Sequence, residues 1–136
     1  MEIGKSIYNI ISTTADITAL VGTRIFPNVA AQTTAFPFII YDVTGVQPTN
    51  TKDGVSTLDT NDVMISVYSN TYSEASSLAQ LVRIAMDRLP TNVYAGENIQ
   101  SSEFQGYNDI FDNTSSNAGI YRKALDFEIR QISPTN

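Results

Sequence analysis

Residues 62–89, DVMISVYSNTYSEASSLAQLVRIAMDRL, change their hydrophobic period from two to about 3.6 within a few positions. Val63, Ile65 and Val67 fall on one face of a strand, while Ala75, Leu78, Ala79, Val82, Ala85, Met86 and Leu89 form one stripe on a helix. The stretch therefore reads as strand, turn, helix. Thr71 and Glu74 have the spacing of a capping box, in which hydroxyl and carboxylate each satisfy an orphan amide at the helix start. Arg83 and Arg88 sit in the second half, where positive charge suits the helix dipole, and Pro90 ends the helix. The rest of the chain is read as what covers these two surfaces.

Toward the amino terminus, Thr44 to Asn61 contains Gly45, Pro48, Asn50 and the turn pair Asp53-Gly54, with Val46, Val55 and Leu58 its only apolar residues. Thr-rich flanks around such a turn can pair as an exposed hairpin, and polar connections of this length are usually functional or mobile. Before it, Phe36-Pro37-Phe38-Ile39-Ile40-Tyr41-Asp42-Val43 reads as a strand buried on both faces, with Pro37 at its start. Ile3, Ile7, Ile10 and Ile11 mark a short amphipathic helix over residues 2–12. A second helical turn, Ala15 to Val21, has Thr14 as its cap and Gly22 as its stop, and Pro27 keeps the chain from resuming a helix.

Toward the carboxyl terminus, Val93-Tyr94 is a short strand and Gly96-Glu97-Asn98 a turn. Ile99 to Asp112 alternates loosely, with Gly106 allowing a bulge, and residues 113–119 are a polar loop. Ile120 to Ile132 alternates most clearly, setting Leu125, Phe127 and Ile129 against Asp126, Glu128 and Arg130. The pattern predicts an α+β domain spanning residues 1–136: a mostly antiparallel β-sheet with two main α-helices packed on one face, plus an extended hairpin or loop.

Composition narrows the chemistry. With neither Cys nor His, the chain lacks a disulfide framework, a thiolate nucleophile, Cys-based zinc ligation and the commonest general base. Fourteen acidic against eight basic residues give a net charge of −6, which opposes binding to a polyphosphate backbone. No apolar run is long enough for a membrane span, and the amino terminus lacks a signal peptide's charge pattern and cleavage site, so the chain is expected to be intracellular as made.

Gly22-Thr23-Arg24 follows a helix instead of preceding one and so is no phosphate loop. A serine nucleophile would need Lys5 or Lys123 as its base, and Ser6 and Ala124 beside them form no such motif. Two oxygen-rich clusters, Asp59-Asn61-Asp62 and Asn108-Asp109-Asp112-Asn113, lack the spacing of a calcium loop, and turn chemistry accounts for both. No catalytic, cofactor-binding or metal-binding residue is assigned. Among the aromatic residues, Tyr107 and Phe111 stand in a polar neighbourhood and are the better interface candidates.

Ala19-Leu20-Val21-Gly22-Thr23-Arg24-Ile25-Phe26-Pro27, followed by Phe36-Pro37-Phe38-Ile39-Ile40-Tyr41, resembles the amino-terminal signature of the tail completion proteins of long-tailed bacteriophages, also called tail terminators or head-tail joining proteins. Tyr72-Ser73-Glu74-Ala75 and the closing Gly119-Ile120-Tyr121-Arg122-Lys123-Ala124-Leu125-Asp126-Phe127 fit in order and spacing, although Thr23 stands where an acidic residue is common. The resemblance implies a non-enzymatic virion protein, made in the host cytoplasm and placed at the tail neck. It would assemble as a homo-oligomeric ring, usually a hexamer, that caps the major tail tube protein and docks the head-tail connector protein. DNA would pass through its lumen without specific binding, and no membrane is involved. Candidate ring or partner contacts are Pro48, Lys52, Asp53 and Gly54 in the ribbon over residues 44–61, and Tyr107, Asn108, Asp109, Phe111 and Asp112 at and near the segment 108–118. The alternatives are a protein-protein interaction module unrelated to virions, or an enzyme using carboxylates.

Overall fold

The computed structural model describes residues 3–29, 34–51, 54–112 and 120–132, with backbone alone over 48–51, 54–58 and at 112. Three helices, α1 (Ile3–Ser12), α2 (Ala15–Val21) and α3 (Tyr72–Met86), accompany six strands: β1 (Ile25–Pro27), β2 (Phe38–Thr51), β3 (Gly54–Ser69), β4 (Asn92–Tyr94), β5 (Glu97–Asp112) and β6 (Ile120–Ile132). They form one sheet in the order β1-β2-β3-β6-β5-β4. The α+β class follows the periodicities; where a mostly antiparallel sheet with two main helices on one face is expected, the sheet is mixed and three helices accompany it. β1 pairs in parallel with β2, and the other four pairings are antiparallel. Ile25-Phe26-Pro27 is too short for a period to show. It becomes a strand because Ile25, Phe26 and Pro27 align with Ile39, Ile40 and Tyr41 of β2.

Burial follows the spacing. Ile3, Ile7, Ile10 and Ile11 of α1 and Ala75, Leu78, Ala79, Val82 and Met86 of α3 are buried. Most of them join one cluster with Ile39, Tyr41, Val63, Ile65, Val67, Leu125, Phe127 and Ile129, which are alternate positions of β2, β3 and β6. The Ser6 hydroxyl, buried on α1, donates to the Tyr94 carbonyl at 2.6 Å and ties the first helix to β4. That bond commits Ser6 to structure, not to nucleophilic chemistry.

Helix ends depart from expectation in instructive ways. Thr14 stands at the N-cap of α2 without capping it; its hydroxyl donates back to the Ile10 carbonyl at 2.8 Å. At α3 the Thr71 hydroxyl does accept from the Glu74 amide at 3.3 Å. The Glu74 carboxylate, however, accepts from the Ser69 hydroxyl at 2.6 Å, and Ser69 in turn accepts from the Thr71 amide at 3.2 Å, so the reciprocal half of the box runs through a buried serine. The carboxyl end comes early: α3 stops at Met86 and Arg88 takes a left-handed φ of 56°. This turn brings the Arg88 amide to the Ser102 carbonyl at 2.9 Å and the Asp87 carboxylate to the Phe104 amide at 3.0 Å, docking the helix exit on the edge of β5. A bond to the sheet, ahead of Pro90, ends the helix.

Replacing Thr71 with Ala is expected to lower unfolding stability by about 1 kcal/mol. Ser69→Ala is expected to cost more, about 2 kcal/mol, because a buried carboxylate contact and an amide lose their shared partner. Urea denaturation decides; a smaller loss for Ser69→Ala than for Thr71→Ala would rule out the relay.

Candidate interaction surface

The nine residues proposed as contacts fall into two groups at opposite ends of the sheet. At one end, β2 and β3 run on as a paired ribbon after β6 has stopped, since the last β3 position matched by β6 is Leu58, opposite Ile132. Pro48 pairs with Asp59 beside a register irregularity, and Gly54 pairs with Thr51 to close the ribbon; Lys52 and Asp53 lie outside the described residues. The Thr-rich segment is thus a hairpin continuous with two core strands.

At the other end, Tyr107, Asn108, Asp109, Phe111 and Asp112 belong to β5, where they oppose Leu125, Ala124, Lys123, Tyr121 and Ile120. Residues 108–112 are strand, not loop, and the rest of that segment lies outside the described residues. Tyr72 at the start of α3, Tyr107 and Phe111 are 53%, 56% and 52% exposed. Tyr72 and Phe111 flank Tyr121, whose ring centroid lies 4.8 Å from Phe111 and 5.8 Å from Tyr72. A groove of about 300 Å³ runs beside them between α3 and the sheet, lined by Tyr72, Gln80, Arg83, Phe104, Tyr107 and Lys123.

Lys123 is the centre of this end. Its side chain is only 8% exposed, yet its Nζ reaches Asp109 Oδ1 at 2.6 Å. It also lies 4.8 Å and 4.9 Å from the Tyr72 and Tyr107 ring centroids. The Tyr72 hydroxyl adds a long contact of 3.4 Å to the other carboxylate oxygen. Burial pulls the lysine pKa down, but the hydrogen bond and charge of Asp109, with Tyr72 helping, outweigh it and leave the pKa raised. A nucleophilic or Schiff-base lysine needs the opposite shift. The arrangement is a clamp: one cation fixes two exposed tyrosines and a strand carboxylate.

Lys123, Tyr72 and Tyr121 were missing from the sequence-based set. Lys123 was nevertheless findable, because stepping back by two from Ile129, Phe127 and Leu125 lands on it, on the dry face. Tyr72 gives no periodic signal. The two oxygen clusters are dispersed by the same period: adjacent residues Asn61 and Asp62, and Asn108 and Asp109, point to opposite faces. Asn61 donates to the Ile129 carbonyl at 3.2 Å and to Gln131 Oε1 at 3.1 Å, and Gln131 continues to Glu97. Among the described residues no group of three or more carboxylates is placed to hold a metal.

The family described as Tail completion protein gp17 matches residues 5–132, nearly the whole chain. The chain belongs to that family. Among solved structures, this tail completion family member is similar in fold to a chain of the virion of a native gene transfer agent particle, with a TM-score of 0.71 and 21% sequence identity. The alignment covers 92% of this chain and 90% of the other. No protein of curated function matches by sequence.

Removing either member of the clamp is expected to have unequal effects. Asp109→Ala strands a buried ammonium and is expected to cost about 2–3 kcal/mol. Lys123→Met leaves a carboxylate already 45% exposed, free to turn to water, and is expected to cost about 1 kcal/mol. Chemical denaturation of the two variants at neutral pH checks the order, and an equal or reversed cost contradicts it. Because the raised pKa favours the ammonium in the folded state, the lysine's contribution is complete below the ordinary lysine value of 10.5 and is lost only as pH rises through the raised value.

Proposed function

We propose that this chain acts as one domain and is a non-enzymatic structural subunit of a phage-type tail. Copies of it form a ring, most simply a hexamer, that caps the tail tube protein and receives the head connector at the neck after assembly in the host cytoplasm. The observation that carries this reading is the family match over residues 5–132. The geometry supports it in two ways. A subunit between two different partners needs contact surfaces facing opposite ways, and here the β2–β3 hairpin and the aromatic end of β5 lie at opposite ends of one sheet. The −6 charge would line a conduit with groups that repel DNA instead of holding it.

The test is deletion of residues 48–58 with a two-residue turn in their place, followed by joining of heads and tails in vitro and imaging of the neck. Loss of joining with retained folding is expected. Normal particles from the deleted chain would remove the hairpin from the mechanism, and a neck with no density for this protein would remove the reading itself.

A further inference from the structure

Among the described residues the sheet has two bare backbone edges of matching character. On β5, the Ser102 carbonyl and the Phe104 amide point away from β6, since both bond to the α3 exit. The extra residue at the Phe104/Gly106 bulge resets the alternation, which puts the amides and carbonyls of Tyr107, Asp109 and Phe111 on that outer edge. β4 reaches only Glu97 to Ile99, so among the described residues nothing pairs with this stretch. On β2, the Ile39 amide and the Tyr41 carbonyl point outward to Arg24 and Asn28. Continuing past the Val43/Gly45 bulge puts Val43 and Val46 outward too, beyond the end of β1. Both valines are exposed.

We infer that the β5 edge of one copy pairs antiparallel with the β2 edge of the next, so that the ring is a continuous sheet. The inference rests on the ring reading above and says which surfaces make the ring. Strand polarity allows it: β5 runs with β3, and β2 runs against both. Charge favours it, because Arg122 lies near the open end of β5 and Asp42 and Asp62 flank the open stretch of β2, all three on the sheet face opposite Ile65 and Leu125. The contact is heterologous, as a ring of more than two copies requires. Asp109 is level with Val67, and Val46 with Asn61, six positions lower on β3. That stagger of roughly 20 Å across four long strands about 19 Å wide inclines the strands by about 45°, at the upper end of the tilt of closed sheets.

The chain contains no cysteine, so introduced thiols report alone. Val46→Cys is combined in turn with Tyr107→Cys and Phe111→Cys, and each pair is oxidised in assembled tails. One pair is expected to give a ladder of cross-linked multimers that neither single variant gives. Val46→Pro removes an amide hydrogen that no described strand of its own chain uses, and is expected to keep the fold by circular dichroism while abolishing the ring. A ring that forms with Val46→Pro and yields no ladder from either pair overturns this edge pairing alone. A wild-type chain that stays monomeric in sizing and in tails defeats the ring reading, and the edge pairing with it.

Discussion

The structure depends on the ladder between β3 and β6, where Val63, Ile65 and Asn61 of one strand oppose Phe127, Leu125 and Ile129 of the other. Every other element is attached to this pair directly or through β2, β5 and α3. β2 and β5 extend it on either side, and α3 lies across it with Leu78, Val82 and Met86 in the same cluster as the strand residues. Burial of so many branched side chains supplies the driving force, at roughly 25 cal/mol per Å² of apolar surface. A shift of one residue would send the whole apolar set to the other face, so the register is strongly determined.

What this scaffold holds in place differs between its two ends. Near α3 the apolar row gives way to Lys123, a charge placed where a hydrophobic residue would continue the pattern. Its ion pair with Asp109 and its two tyrosine neighbours fix side chains that a purely apolar strand end would leave free to turn. At the far end Asn61, Gln131 and Glu97 finish the same rows with neutral and acidic hydrogen bonding. Thus the inner face is apolar in its middle and polar at both limits, which marks where the core ends along each strand.

Most of this was legible in the residues. The central strand, the stripe on α3, the alternation of β6, the bulge at Gly106 and the short strand at Val93 follow from period and turn chemistry. Ile25 to Pro27 was not, because three residues carry no period and their strand state comes from alignment with β2. Nor was the exit of α3, since nothing local distinguishes Arg88 from a helical residue; the Ser102 carbonyl that binds its amide is distant in sequence. The candidate contacts read as two segments, the ribbon over residues 44–61 and a loop over 108–118; the pairing registers set them at opposite ends of the sheet and make residues 108–112 strand. The clamp was half visible: its carboxylate and one tyrosine stand among the contact candidates, and its lysine is weighed only as a base for a serine nucleophile, for which its neighbours form no motif.

The hairpin of β2 and β3 outruns β6 at Leu58, and this frees its length from the core. The hairpin's backbone pairing beyond that point involves β2 and β3 alone among the described strands, so lengthening each arm by two residues preserves which face every side chain takes and adds about 7 Å of reach. The ribbon can therefore change length in steps of four residues without disturbing the strands that carry the core. The part of the molecule that folds it and the part that projects from it can vary independently.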